Sequence, residues 1–271
     1  MPSLKEFQKT IYDHFEKNGR SFPWRETRDP YKILVSEIML QQTQAPRVIE
    51  KYNSFIKRFP TVEKLARASD KAVLQEWQGL GYNRRGLNLK RAAEMIVNNY
   101  KGTFPKDYDT LLTLPGIGPA TSGDLMAFAW NKPEVIIETN IRSVFIHFFF
   151  SDEKNIPDSK LLPLIKKTLD KKNPRNWYYA LMDYGAFLKK TLPNPSRQSR
   201  HYTKQSTFRG SNRELRSKIL KYILNYPKQP LTIIASSLDL PEDTIQKNLS
   251  TMTREGLIKE KVVKKIKVFY I

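Results

Sequence analysis

LPGIGPATSGDLMAFAWNKPEVIIETNIRSV, residues 114–144, is the stretch from which the rest of the chain can be read. It opens on a tight turn in which Gly116 and Gly118 can take backbone angles closed to other residues. Pro119 stands where a first helical residue is expected, because its missing N–H costs nothing there. Ala120 to Trp130 continues as an apolar helix. The turn and the helix start together aim backbone N–H groups outward, an arrangement that suits a phosphate. About twenty residues after the turn, apolar Val135-Ile136-Ile137 runs directly into the polar triplet Glu138-Thr139-Asn140. A Gly-x-Gly turn alone is usually only a turn. A phosphate-sized turn, a helix and then an acid at set distance make a sharper pattern.

The chain has 271 residues, with 47 Lys and Arg against 27 Asp and Glu, for a formal net charge of +20. That length allows one large or two modest domains with ample material for a core. A protein so basic commonly meets a polyanion, and 13 Tyr and 14 Phe add stacking surfaces to the charge. A generic solvated basic surface is the bland alternative. No run approaches the ~18 consecutive apolar residues of a membrane span, so no membrane partner is expected. The opening MPSLKEFQKTIYDHF reads as an amphipathic helix and not as a signal peptide, which favours the cytoplasm. Cysteine is absent, which excludes disulfides, thiolate catalysis and a cysteine-held cluster.

Along the chain, Leu4, Phe7, Ile11 and Phe15 give a core-facing stripe over residues 4–18. In Phe22-Pro23-Trp24-Arg25, Trp24 by itself reads as a core anchor. Asp29-Pro30-Tyr31 opens a helix that runs to Gln44 and carries Glu37 among Ile33, Leu34, Ile38, Met39 and Leu40. An ordinary surface glutamate is common on such a helix. An acid held in apolar surroundings, however, has its pKa raised and can stay protonated near neutrality as a general acid. Further helices are expected at 48–59, 62–68, 70–77, 83–100, 143–150, 161–169 and 177–188. Arg84, Arg85, Lys90 and Arg91 fit a solvated basic face, and His147 a core or boundary histidine. Asp124, among apolar neighbours after the turn, fits either a helix surface or a pocket.

From Asn212 the composition changes. Helices at 213–226, 231–238 and 241–255 are followed by two alternating strands in the last fifteen or so residues. Three helices and a hairpin of this length resemble a winged helix-turn-helix. Thr244, Gln246, Lys247, Asn248 and Thr251 would supply a recognition helix, and Lys261, Lys264, Lys265 and Lys267 a basic wing. A protein-interaction winged helix is the alternative.

The turn followed by a helix and an acid resembles the helix-hairpin-helix superfamily of DNA glycosylases. Ser36-Glu37-Ile38-Met39-Leu40-Gln41-Gln42-Thr43-Gln44 and Gly79-Leu80-Gly81-Tyr82 resemble its adenine DNA glycosylase (MutY-like) branch rather than its endonuclease III branch, and matching segments run from Phe22 to about Phe187. The resemblance implies an all-α fold: a two-subdomain core over 1–205, with a six-helix part at about 25–130 and a second part from 1–22 and 131–205, plus a small winged helix over 212–271. It implies hydrolysis of a base–sugar N-glycosidic bond after the base is flipped from double-stranded DNA, by a monomer in the cytoplasm at the nucleoid. Glu37 would be the acid, Glu138 the anion facing the sugar and Asn140 the group that orients Glu138 or a water. Trp24, Arg25 and Asp124 would line the base pocket. Gln42 would be a wedge and Tyr82 an intercalating ring, with Thr43, Gly116, Gly118 and Thr121 beside them on DNA and Gln246, Lys247, Lys264 and Lys265 contributing from the C-terminal module.

The chain departs from the resembling enzymes at four points. It has Glu138 where they carry Asp. Where they place four cysteines it reads KKTLPNPSRQSRHYTKQSTF, so no iron–sulfur cluster or other cofactor is expected; a monovalent or divalent cation on the hairpin carbonyls stays compatible. Ala120 stands where lyase-active relatives use Lys, which implies a monofunctional enzyme. Their usual C-terminal module is replaced by the winged-helix pattern. Adenine is the expected base; a glycosylase for a different modified or mismatched base, and a catalytically weak lesion-sensing protein, are the alternatives.

Overall fold

The computed structural model describes residues 2–271. Its helices are α1 (Leu4–Asn18), α2 (Pro30–Leu40), α3 (Ala45–Arg58), α4 (Val62–Ala66), α5 (Asp70–Trp77), α6 (Arg84–Tyr100) and α7 (Tyr108–Leu112). They continue as α8 (Pro119–Trp130), α9 (Thr139–Phe149), α10 (Asp158–Thr168), α11 (Pro174–Thr191), α12 (Asn212–Asn225), α13 (Leu231–Leu238) and α14 (Glu242–Arg254). Strands β1 (Gln229–Pro230), β2 (Lys259–Val263) and β3 (Ile266–Tyr270) form one antiparallel sheet in the order β1-β3-β2. The expected helical class and the expected helices are present. No described helix is long and apolar enough to cross a membrane.

The chain divides into two compact units, one running through Glu37 and resuming over Phe104–Lys204, the other Ile38–Thr103 with Gln205–Ile271. These bounds differ from those read off the sequence, because the division falls inside α2. Ile33, Leu34, Val35, Ile38 and Met39 are all buried there, so the helix has no polar face to mark a boundary.

In the first unit, α1 starts on a capping box: Glu6 N–H donates to Ser3 Oγ (3.3 Å), and Ser3 N–H to Glu6 Oε2 (2.9 Å). Its apolar stripe buries Phe7 among Phe145, Phe148, Phe149 and Trp177, with ring centroids 5.1 to 5.9 Å apart. The cysteine-free loop after α11 is pinned by hydrogen bonds. Gln198 Nε2 donates to the carbonyls of Ser151 (2.7 Å) and Glu153 (3.0 Å), while Ile156 N–H donates to Gln198 O (2.9 Å) and Arg200 N–H to Ile156 O (2.9 Å). With no cysteine, the residues present do not fit a four-cysteine cluster, and backbone pairing holds the loop instead.

In the second unit, Leu74 of α5 and Leu87 of α6 share one core with Ile219, Ile223, Leu249, Met252 and Phe269 of the C-terminal module. Strand β1, two residues with a proline, carried too little pattern to be seen in the sequence. The β2–β3 turn puts Lys264 and Lys265 at φ +48° and +66°, as a two-residue hairpin turn demands. Arg85 and Lys90 are not on a solvated face. Lys90 is buried against Asp70 (3.2 Å) and Glu94.

Candidate active site

Glu37 sits on α2 beside buried Ser36, whose hydroxyl donates to the carbonyl of Ile33 (2.7 Å). The residue keeps a partial opening to solvent, yet protein atoms enclose its carboxyl. Burial pushes that carboxyl up to about 8; the charge of Arg25 opposes the shift, and the neighbouring Glu138 adds to it. Arg25 is itself paired with Asp183. Its guanidinium grips Asp183 through two bonds of 2.9 and 2.8 Å and lies 4.4 Å above the centroid of the Tyr179 ring. Burial works against an ionised Asp183, but the bonds from Arg25 and from Arg20 N–H (2.8 Å) and Nε (2.7 Å) outweigh it and hold its pKa low. Trp24 is 3% exposed and stacks on Phe22 at 4.9 Å. That burial fits the core anchor that the residue alone suggested.

Glu138 is the N-cap of α9. Its Oε1 accepts from Ile141 N–H (2.8 Å) and its Oε2 from Asn140 Nδ2 (3.2 Å). Lys189 Nζ in turn donates to Asn140 Oδ1 (2.8 Å), so a lysine on α11 orients the amide that orients the acid. Burial lowers the Lys189 pKa, and the charge of Glu138 partly restores it. The approach depends on Gly185. A Cβ there would stand 2.7 Å from the Asn140 carbonyl carbon and closer still to its oxygen. The extended run before Glu138 is fixed by Tyr178, whose hydroxyl accepts from Ile136 N–H (3.0 Å) and donates to Glu134 O (2.6 Å). Gly123 on α8 leaves room for Ile136; a Cβ would lie 2.8 Å from its Cγ1.

Asp124 is not a surface residue. It is 5% exposed on the buried side of α8, and its Oδ1 has no hydrogen-bond partner. Burial raises its pKa well above the carboxylate range, and the charges of Glu37 and Glu138 raise it further. Glu37, Asp124 and Glu138 therefore form one electrostatic cluster in this unit. Of the two glycines of the turn, Gly116 takes the left-handed angle, φ +82°, whereas Gly118 is ordinary extended backbone (φ −101°) capping α8. Thr121 is buried in the first turn of α8.

The second unit holds the other expected residues. Exposed Gln42 (φ +55°) and Tyr82 (φ +45°) both have left-handed backbones, a strained state for side chains of their size. Arg85 ties their two loops together. Its guanidinium donates to the carbonyls of Ile38 (2.8 Å), Met39 (3.1 Å), Gln41, Leu80 (3.3 Å) and Gly81 (3.2 Å), and to Thr43 Oγ1 (3.1 Å). Arg213 (2.8 Å) and Gln205 (3.0 Å) donate to the Tyr82 hydroxyl. On α14, Asn248 is largely buried: its Nδ2 donates to Thr244 O (3.0 Å), and the residue also lines the hollow beside Lys247. Exposed Lys247 lines a polar hollow of about 330 Å³ with Asn212, Thr244 and Thr251; Gln246 donates to Ser250 Oγ (3.0 Å). Lys264 and Lys265 are exposed at the hairpin tip. Among the described residues no group of three or more His, Cys, Asp or Glu is placed to hold a metal ion. Lys189, Asp183 and Arg85 escaped the sequence reading, since each works through partners that share no local motif with it.

Residues 35–168 match the family described as HhH-GPD superfamily base excision DNA repair protein. The chain is 36% identical over 187 residues to the adenine DNA glycosylase of Buchnera aphidicola subsp. Baizongia pistaciae, covering 67% of this chain and 52% of the relative. It is 30% identical over 187 residues to the thymine/uracil-DNA glycosylase of Methanothermobacter thermautotrophicus, covering 68% of this chain and 85% of that protein. A solved thermostable thymine-DNA glycosylase superposes with a TM-score of 0.60 at 28% identity, over 68% of this chain and 86% of that one. The chain spans about half the length of the adenine glycosylases that it matches. With the helical fold and the matched stretch from α2 to α10 in agreement, the chain belongs to the HhH-GPD superfamily of base excision DNA repair proteins.

Proposed function

We propose that the protein is a monofunctional DNA glycosylase, which hydrolyses the bond between a flipped base and its deoxyribose in double-stranded DNA. One observation carries this reading: a glutamic acid that stays protonated near neutrality shares an electrostatic cluster with a second carboxyl group held at a helix N-terminus. Breaking the C1′–N bond requires a proton for the leaving base and negative charge near the developing oxocarbenium sugar. Glu37 gives its proton to a ring nitrogen as the bond electrons pass to the base. Glu138, oriented by Ile141 N–H and Asn140, faces the sugar cation. Water then adds to C1′ and releases a proton, leaving free base and an abasic site. The net charge of +20, the α8 hairpin and the strained Gln42 and Tyr82 suit binding, opening and refilling a duplex. Ala120 offers no amine at the lyase position, so a Schiff base there is not part of the reaction.

Adenine is the base favoured by the relatives' names and by the motifs around Glu37. A different base is the second reading, favoured by the extra methylene of Glu138 and by Asp124 buried beside it. A panel of duplexes, each with one damaged or mispaired base, is incubated with the protein and then treated with alkali. Strand cutting at one lesion supports the glycosylase and identifies its base. Tight binding without cutting would make the protein a lesion sensor.

A further inference from the structure

Among the described residues, the buried charged side chains of Asp183, Arg175 and Lys90 are matched, whereas Asp124 is not. Asp183 accepts four bonds from Arg25 and Arg20, Arg175 donates to the carbonyls of Phe128, Arg25 and Thr27, and Lys90 has two carboxylates. Asp124, 5% exposed, leaves Oδ1 without a partner. A buried polar atom with no partner costs stability, and an apolar side chain of like size would relieve that cost. The position is not a cap, six residues into α8, and the charges that act on the Asp124 carboxyl are the like charges of Glu37 and Glu138. It does share the electrostatic cluster of Glu37 and Glu138.

We infer that Asp124 is a specificity-determining residue whose carboxyl group hydrogen-bonds the polar edge of the extruded nucleobase. The inference rests on the glycosylase reading and names what that site recognises. Burial favours the neutral form of the group, which offers an O–H donor and a C=O acceptor side by side. That pair matches a nucleobase edge with a donor next to an acceptor: ring nitrogen beside amino group, or N–H beside carbonyl. It rejects an edge of the same shape that has lost one of the two, because a buried polar group is then left unmatched a second time.

The test compares the whole protein with Asp124→Val and Asp124→Asn, on the duplex the wild type cuts best and on the rest of the panel. Single-turnover excision and the thermal midpoint are both read. Asp124→Val is expected to unfold no earlier than the wild type, yet to excise at least ~10-fold more slowly and with altered preference among bases. Asp124→Asn keeps a donor and an acceptor, so its rate should stay within about 5-fold. Wild-type rate and preference in Asp124→Val would overturn the inference while leaving the glycosylase standing. So would losses in both variants that merely track the amount of folded protein. If the wild type cuts no duplex at all, the glycosylase reading falls, and this one with it.

Discussion

Glu37 has a folded-state pKa of about 8 against an ordinary 4.5, and that shift has a consequence for stability as well as for chemistry. Between those values the folded protein holds a proton that the unfolded chain has released. The contribution of Glu37 to stability is therefore fully present below about pH 4.5 and declines as pH rises toward 8, by up to ~1.4 kcal/mol per pH unit for one such proton. Glu37→Gln should flatten that slope, which denaturant titrations at pH 5 and pH 8 will read. Glu138 separates stability from activity in another way. Asp is a better N-cap than Glu, so Glu138→Asp should hold or raise stability by up to ~1 kcal/mol. Its carboxylate would also retreat by one methylene, and a misplacement of about 1 Å can cost ~100-fold in rate. Excision of the true substrate should thus fall while the midpoint does not; a rise in adenine excision would instead mark a drifted adenine enzyme. Both acids and Asn140 could be singled out in the sequence as candidates, because each sits in a contiguous motif. The burial of Asp124 was not, since α8 is apolar on every side and offers no period from which to tell its faces apart.

At the scale of elements, α9 and α11 are set by one missing side chain. Gly185→Ala would drive a Cβ into the Asn140 carbonyl, forcing α11 away from the start of α9. Overpacking of this kind costs ~1–3 kcal/mol, and the Lys189–Asn140–Glu138 chain would shift with it. The variant should melt earlier and excise more slowly than its loss of stability alone explains; unchanged excision at a temperature where it is fully folded would contradict this. The helices themselves were readable from apolar spacing and start signals, as α1 with its Ser3 cap illustrates. The pairing of elements was not. Lys189 lies 49 residues from Asn140, and Arg85 lies more than 40 from the carbonyls of α2 that it gathers. Such contacts leave no mark in a local pattern.

At the scale of the molecule, the three helices and the hairpin of the C-terminal module were legible but their packing was not, because Leu74 and Leu87 look like any other core positions. They share a core with the C-terminal module, so deleting 212–271 would expose them and confuse lost binding with lost folding. Point changes are cleaner. Lys264→Ala with Lys265→Ala, at an exposed hairpin tip, should weaken duplex binding and lower the salt slope by about 1–2 if both lysines meet phosphates. An unchanged slope would assign that module to a protein partner. Whether Glu37 supplies the proton that releases a base is read from single-turnover excision measured from pH 5 to pH 9. The wild type should lose rate as pH climbs past about 8, while Glu37→Gln binds the same duplex with similar affinity and excises orders of magnitude more slowly at every pH. A Glu37→Gln protein that excises the base at the wild-type rate would contradict the account.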